Sequence, residues 1–353
     1  PAACPDGPSV ARGACPMLYL VPLRFRWRSV SFRDDVQMRL LVTYDGSSAS
    51  ASVFPAAERL ARRLSADVVL LRVHNTRGEN ELLGPRYFKE LEEVWQRELD
   101  AVAARMKCPA QAVVRRLFKR FWVSDAIIDA AAEFRADLIV MATQGESGLR
   151  HAFIGSTALG VLARSSQPIV LVRSGLEPRS GEHDTQGPQQ ARLLVTCDGS
   201  SASKAVFQPA AQIARAAGGE LLLLRVDHPL RLDLFVGPHH NIREVRAANS
   251  DGPLISELER IGAQLDCPVR VVVRPLTGGR WNVVDEIRAA AEEFDADLVC
   301  MATRGHSGLR HLLVGSTALE VVARSDRPVM LVRSQASRKP RKAKTAAAKK
   351  AGA

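Results

Sequence analysis

Residues 39–50 read RLLVTYDGSSAS and residues 192–203 read RLLVTCDGSSAS, so 11 of 12 positions agree. Residues 136–174 read ADLIVMATQGESGLRHAFIGSTALGVLARSSQPIVLVRS, and residues 296–334 read ADLVCMATRGHSGLRHLLVGSTALEVVARSDRPVMLVRS, where 26 of 39 agree. A repeat of this length outranks any single motif, because overlooking it misassigns the whole fold. The offset is 153 residues between Asp45 and Asp198 and 160 between Gly155 and Gly315. That is the size of a compact domain, not of a solenoid unit. The chain therefore reads as a tandem duplication, with about seven extra residues inside the second copy.

Each copy alternates strand and helix patterns. Arg39–Asp45 is a continuous apolar run ending in Asp-Gly-Ser-Ser, as expected of a strand buried on both faces. The stretch Ser47–Ser65 has helical spacing, and Asp67–Val73 is a second buried strand. Tyr87–Met106 follows as an amphipathic helix and Ala110–Leu117 as a strand; Ser124–Phe134 is a helix with Ser124 as its expected N-cap. The strand Asp137–Ala142, a glycine-rich loop, a helix near Ser156–Ser165 and the strand Pro168–Arg173 complete the copy. The second copy repeats the order, which predicts a parallel α/β sheet with helices on both faces. The last strands, Pro168–Arg173 and Pro328–Arg333, are apolar edge candidates and are expected to meet between the copies.

The expected organisation is an irregular extension over 1–37, domains over 38–174 and 191–334, a polar linker over 175–190 and a basic tail over 335–353. Met38 stands directly before the first strand, so residues 1–37 are expected to lie outside the natural product. The formal net charge is +11, but the stretch after Arg333 holds seven Lys/Arg and no acid, and residues 1–38 hold five Arg against three Asp. The paired domains are thus nearly neutral. The tail is expected to be disordered and to give, at most, weak polyanion binding. Deleting residues 335–353 should leave the melting temperature unchanged and remove any salt-dependent polyanion binding; a lower melting temperature would count against this reading. No apolar run approaches the roughly 18 residues of a spanning helix, so no membrane partner is expected. Six scattered Cys without C-x-x-C point to a reducing, cytoplasmic setting.

The segment after the fourth strand carries the chemistry. Gly145 and Gly155 are ten residues apart, as are Gly305 and Gly315, and Gly155-Ser156-Thr157 opens a helix. Glycines let a backbone approach a ligand and adopt positive φ, and a helix N-terminus favours an anion. Asp45, ending the first strand, is placed to accept from a ribose hydroxyl. The same residues serve equally as turn glycines and helix caps. The loop is neither a Walker A loop nor G-x-G-x-x-G. His151, His306 and His311 read as exposed loop residues. His228, His239 and His240 with Asp227 do not make a metal site. Ser47, Ser48, Ser200 and Ser201 lack His–Asp partners, and Trp27, Trp95, Trp122 and Trp281 show no stacking pattern. No enzyme activity is expected.

With Ala142-x-x-Gly145-x9-Gly155-Ser156 and Ala302-x-x-Gly305-x9-Gly315-Ser316, the chain resembles a tandem universal stress protein of the adenine-nucleotide-binding type. That family's motif is G-x-x-G-x9-G-[ST], with an Asp ending the first strand. The resemblance covers residues 38–174 and 191–334. It implies two Rossmann-like (adenine nucleotide alpha hydrolase-like) domains, each a five-stranded parallel sheet of order 3-2-1-4-5. It implies ATP as cofactor, with accompanying Mg2+ left open. The implied contacts in the first copy are Thr43, Asp45, Val73, Met141, Ala142, Gly145, Gly155, Ser156 and Thr157. Those in the second are Thr196, Asp198, Val226, Met301, Ala302, Gly305, Gly315, Ser316 and Thr317. It further implies an intramolecular pseudo-dimer, with a homodimer left open, and a stress-response role through nucleotide-dependent conformation or partner binding. A slow ATPase and an interaction protein without nucleotide are the rival functions. Ala142 and Ala302 depart from the motif's first glycine; at positive φ, Ala would cost about 1 kcal/mol. Arg304 and His306, in place of Gln144 and Glu146, predict tighter polyphosphate binding in the second copy.

Overall fold

The computed structural model describes residues 37–75, 85–117, 122–144, 154–174, 190–227, 251–276, 282–303 and 314–334. The first copy contains β1 (Arg39–Thr43), α1 (Ser48–Ala51), α2 (Val53–Leu64), β2 (Asp67–Asn75), α3 (Pro85–Arg105), β3 (Ala110–Leu117), α4 (Val123–Glu133), β4 (Leu138–Ala142), α5 (Ser156–Arg164) and β5 (Ile169–Val172). The second contains β6 (Arg192–Thr196), a 3-10 turn (Ser203–Val206), α6 (Phe207–Ala216), β7 (Glu220–Asp227), α7 (Asp251–Gly262), β8 (Val269–Pro275), α8 (Val283–Glu293), β9 (Leu298–Ala302), α9 (Ser316–Arg324) and β10 (Val329–Val332).

The strands are apolar without alternation because both faces are covered. Leu40, Val42 and Leu70 belong to the core under α2 and α3. Leu41, Val69 and Leu71 belong to the core on the opposite face, under α4 and α5. Neither register position meets water, so both carry Leu or Val.

All ten strands form one sheet, ordered β3-β2-β1-β4-β5-β10-β9-β6-β7-β8. The five strands of each copy are therefore not a closed sheet of their own but one half of a continuous ten-stranded sheet. Every pairing is parallel except β5 with β10, which is antiparallel, with Val170 opposite Met330. The two apolar edges meet as expected, since each satisfies the other's unpaired backbone groups. The seam is also clamped reciprocally. Arg333 Nη1 donates to the Ala163 carbonyl at 2.7 Å, and Arg173 Nη1 donates to the Ala323 carbonyl at 3.4 Å. Each guanidinium thus sits at the negative C-terminal turn of the other copy's helix.

Two helix expectations need correction. The single helix expected over Ser47–Ser65 is broken at Ser52, whose hydroxyl donates back to the Ala49 carbonyl at 2.7 Å. Ser124 is not an N-cap: Trp122 holds that place, and Ser124 is buried inside α4, where its hydroxyl accepts from Arg164. An Arg from the neighbouring helix outcompetes the local backbone for that oxygen.

A second tie between the copies joins Arg63, on α2, to Asp297, before β9, at 3.3 Å. Burial pushes the Asp297 carboxyl up, against the opposing pull of the Arg192 N–H and Arg63. A carboxyl raised in the folded state stabilises folding less as pH rises from the unfolded value, about 4, through the folded one. Asp297→Asn lacks that slope. Its melting temperature relative to the parent should therefore rise from about pH 3.5 to about pH 7. A pH-independent difference in thermal melts would contradict this.

Candidate functional site

A cavity of about 770 Å³ opens at the C-terminal ends of β1, β2 and β4. Here β1 lies between β2 and β4, so the chain leaves its first strand to one side and reaches the fourth on the other. Such a reversal splays the following loops apart and leaves a crevice. Thr43, Asp45, Val73, Met141, Ala142, Gly155, Ser156 and Thr157 all line it. In the second copy, Thr196 ends β6, Asp198 follows it, Val226 lies in β7, and Met301 and Ala302 end β9. Gly315 precedes α9, which Ser316 and Thr317 open. Gly145 and Gly305 lie outside the described residues, as do Glu146, His151, His228, His239, His240, Arg304, His306, His311, Trp27 and Trp281.

Gly155 is the N-cap of α5, at φ −66° and ψ 156°, and offers no side chain to cap the first turn. Gly315 caps α9 in the same way, at φ −69° and ψ 152°. Of the two freedoms that glycine offers, positive φ is not used here; both backbones are extended, in a region open to any residue. Each glycine N–H donates to a carbonyl, Thr143 or Thr303, at 2.7 Å. That bond ties the helix start to the strand end and sets the direction of α5 and α9. Among the described residues, an added Cβ would meet only the Thr143 carbonyl at 3.5 Å, or the Thr303 carbonyl at 3.6 Å. Nothing among the described residues requires glycine at either position. Ala142 and Ala302 are the last residues of β4 and β9 and are not among the positive-φ residues. Their departure from the motif carries no backbone penalty.

Asp45 works first as an organiser of its own loop. Its Oδ1 accepts from the Ser47 N–H at 3.0 Å, from the Ser47 hydroxyl at 2.7 Å and from the Ser50 hydroxyl. Asp198 accepts from the Ser200 N–H at 2.9 Å, but the equivalent Ser203 hydroxyl donates to the Ser200 carbonyl instead. The loop glycine is required by conformation. Gly46 lies at φ +96° and Gly199 at φ +80°, and a Cβ would come within 2.2 Å of Arg72 Nη2 or 2.6 Å of Arg225 Nη1. Gly46→Ala and Gly199→Ala should each destabilise the fold by about 1 kcal/mol or more in denaturant titration. No change in the midpoint would show that the guanidinium and the turn relax freely.

Those arginines, one in each copy, escaped notice in the sequence, although the repeated phrases LLRV contain both. Arg72 Nη1 pairs with Glu98 on α3 at 2.8 Å, and Arg225 Nη1 with Glu257 on α7 at 3.1 Å. In the first copy, Tyr44, His74 and Trp95 gather around Arg72 and line the cavity with it. Burial raises the Tyr44 phenol, as does Glu98, which accepts its hydroxyl at 3.2 Å. Trp122 is 61% exposed at the start of α4, next to the cavity-lining Val123.

Among the described residues, no group of three His, Cys, Asp or Glu side chains is placed to hold a metal ion. No helix among them is long and apolar enough to cross a membrane. Cys108, Cys197, Cys267 and Cys300 are free, and burial pushes all four thiols up, Cys267 to about 11. None is activated as a thiolate.

The model of the Universal stress protein family matches residues 38–173 and 191–333. A universal stress protein of Synechocystis sp. is 23% identical over 318 residues, covering 83% of this chain and 99% of the relative. A single-domain-sized universal stress protein of Thermus aquaticus is 33% identical over 138 residues, 38% of this chain and 97% of the relative. Among solved structures, a universal stress protein from Archaeoglobus fulgidus superposes with a TM-score of 0.54 at 22% identity, covering 84% of this chain and 96% of that one. That structure shares the fold. With both copies matched over most of their length, the chain belongs to the universal stress protein family, as a tandem member with two copies of the domain in one chain.

Proposed function

We propose that the chain is a stress-response protein that binds ATP or a related adenine nucleotide. It acts through nucleotide-dependent conformation or partner binding rather than turnover. The supporting observation is the glycine at the N-cap of each of these two helices, where the cap residue has no side chain to bond the first turn. Gly155 and Gly315 recur in the two copies, yet neither conformation nor packing against the described residues demands a missing Cβ. A bound group approaching the backbone does demand it. The first-turn N–H groups of a helix lack intrahelical partners and carry partial positive charge, which suits phosphate. The volume of about 770 Å³ falls within the usual range for small-molecule clefts.

On this reading, Gly155, Ser156 and Thr157 hold the phosphates, together with Gly145. Asp45, oriented by Ser47 and Ser50, accepts from the ribose, and Thr43, Val73, Met141 and Ala142 supply the remaining walls. In the second copy Gly305, Gly315, Ser316 and Thr317 take the phosphates, Asp198 the ribose, and Thr196, Val226, Met301 and Ala302 the walls. The proposed domains run over 38–174 and 191–334, with 175–190 as linker. Equilibrium dialysis of the full chain against labelled ATP tests the reading. Saturable binding of up to two equivalents is expected; no binding at millimolar ATP, with or without Mg2+, would leave an interaction protein with an empty pocket.

A further inference from the structure

The two copies differ on one wall of the crevice, and the difference is chemical. In the first copy the Arg72 guanidinium lies 4.1 Å from the Trp95 ring centroid and 5.5 Å from that of Tyr44. The His74 and Trp95 rings meet edge to face, with centroids 4.5 Å apart. All four residues line the cavity. Aligning the repeats through Glu98 and Glu257 places Leu254 opposite Trp95; Tyr44 corresponds to Cys197 and His74 to Asp227. The Arg–Glu pair is thus common to both copies, and at these aligned positions only the first carries rings.

This wall is poorly suited to an anion. The Arg72 charge is offset by Glu98 at 2.8 Å, and the anion-favouring helix start of α5 lies on another side of the crevice. What remains is polarisable ring surface beside a delocalised guanidinium, which suits a planar heteroaromatic group. In the second copy a carboxylate, Asp227, replaces the imidazole, and an aliphatic side chain replaces the indole.

We propose that Trp95 is a specificity-determining residue that makes the first copy a reader of the nucleobase, a role the second copy lacks. The inference rests on the nucleotide reading above. It is tested by titrating the full chain calorimetrically with three probes: adenosine, ATP and inorganic tripolyphosphate. Trp95→Leu installs the second copy's residue. It should weaken adenosine about tenfold, the scale of one lost base–aromatic contact, and leave tripolyphosphate unchanged. Trp95→Phe should restore most of the adenosine affinity.

A second measurement does not depend on the Leu variant folding. In a chain whose Trp27, Trp122 and Trp281 are replaced by Phe, adenosine should quench Trp95 emission saturably and tripolyphosphate should not. Adenosine binding that is indifferent to Trp95→Leu, or that leaves the emission unaltered, overturns the proposal while the nucleotide site stands. Equal loss of adenosine and tripolyphosphate in Trp95→Leu also overturns it, because the ring would then only support the crevice. Failure of all three probes on the parent chain removes the nucleotide reading, and this proposal with it.

Discussion

Gly155→Val should abolish ATP binding by the first copy, with an affinity loss of at least about a hundredfold, roughly 3 kcal/mol. The fold should hardly notice. The backbone at φ −66° and ψ 156° is extended, where β-branched residues are at ease. Among the described residues the new Cβ meets only the Thr143 carbonyl, at an ordinary 3.5 Å. The stability cost should stay near that of a poor N-cap, about 1 kcal/mol. The Val methyls, however, fill space beside the first-turn N–H groups that a phosphate must approach. Gly315→Val should act likewise on the second copy, so each single variant retains about one equivalent of ATP. Isothermal titration of the two variants separates the copies. Unchanged stoichiometry in both would refute the pocket. Tighter residual binding in Gly315→Val than in Gly155→Val would refute the expectation that the second copy holds polyphosphate more strongly. A large fall in melting temperature would show that glycine is there for the fold after all.

The parts of the fold that were legible in the sequence are those fixed by local pattern. Continuous runs such as LLVT and VVLL announce strands covered on both faces, and the structure buries Leu40 and Leu41 on opposite sides. The meeting of the last two strands followed from their apolar edges. The crevice was legible because the repeat preserves its loops: Asp45 and Gly155–Thr157 were named from their places at a strand end and a helix start, and Thr43, Val73, Met141 and Ala142 from the family resemblance. What was not legible depends on contacts between distant segments. Ser124 looks like a cap until Arg164, 40 residues away, arrives to bind it. Arg72 looks like a charge interrupting a strand until Glu98 and Gly46 enclose its guanidinium. Trp95 is matched by Leu254 in the second copy, so the repeat does not flag it, and it reaches the crevice because α3 packs beside β2. Which glycines take positive φ was not legible either, for a related reason. Composition does not distinguish a turn glycine such as Gly46 from a cap glycine such as Gly155; only the backbone path does.

The largest stability effect is expected at the seam, from Met330→Asp. Met330 and Val170 face each other across the antiparallel pair and are both fully buried. Both belong to a core cluster that contains residues of the two copies. A carboxylate there loses its hydration and finds no partner in that apolar layer, and must either stay neutral or open the sheet. The expected cost is above about 4 kcal/mol, a large share of the usual 5–15 kcal/mol of a domain. Because β5 and β10 each cover the other's edge, the damage should not stay in one copy. Opening the pair leaves two apolar strand edges exposed, so aggregation should accompany unfolding. Met330→Leu keeps the volume and should cost less than about 1.5 kcal/mol. Val170→Asp, on the other strand, should reproduce the effect of Met330→Asp, since the two positions share one contact. Urea titration followed by circular dichroism and light scattering distinguishes the outcomes. If Met330→Asp unfolds at nearly the parent midpoint, the two copies are stable without their seam, and the ten-stranded sheet is an association of independent domains rather than one cooperative core.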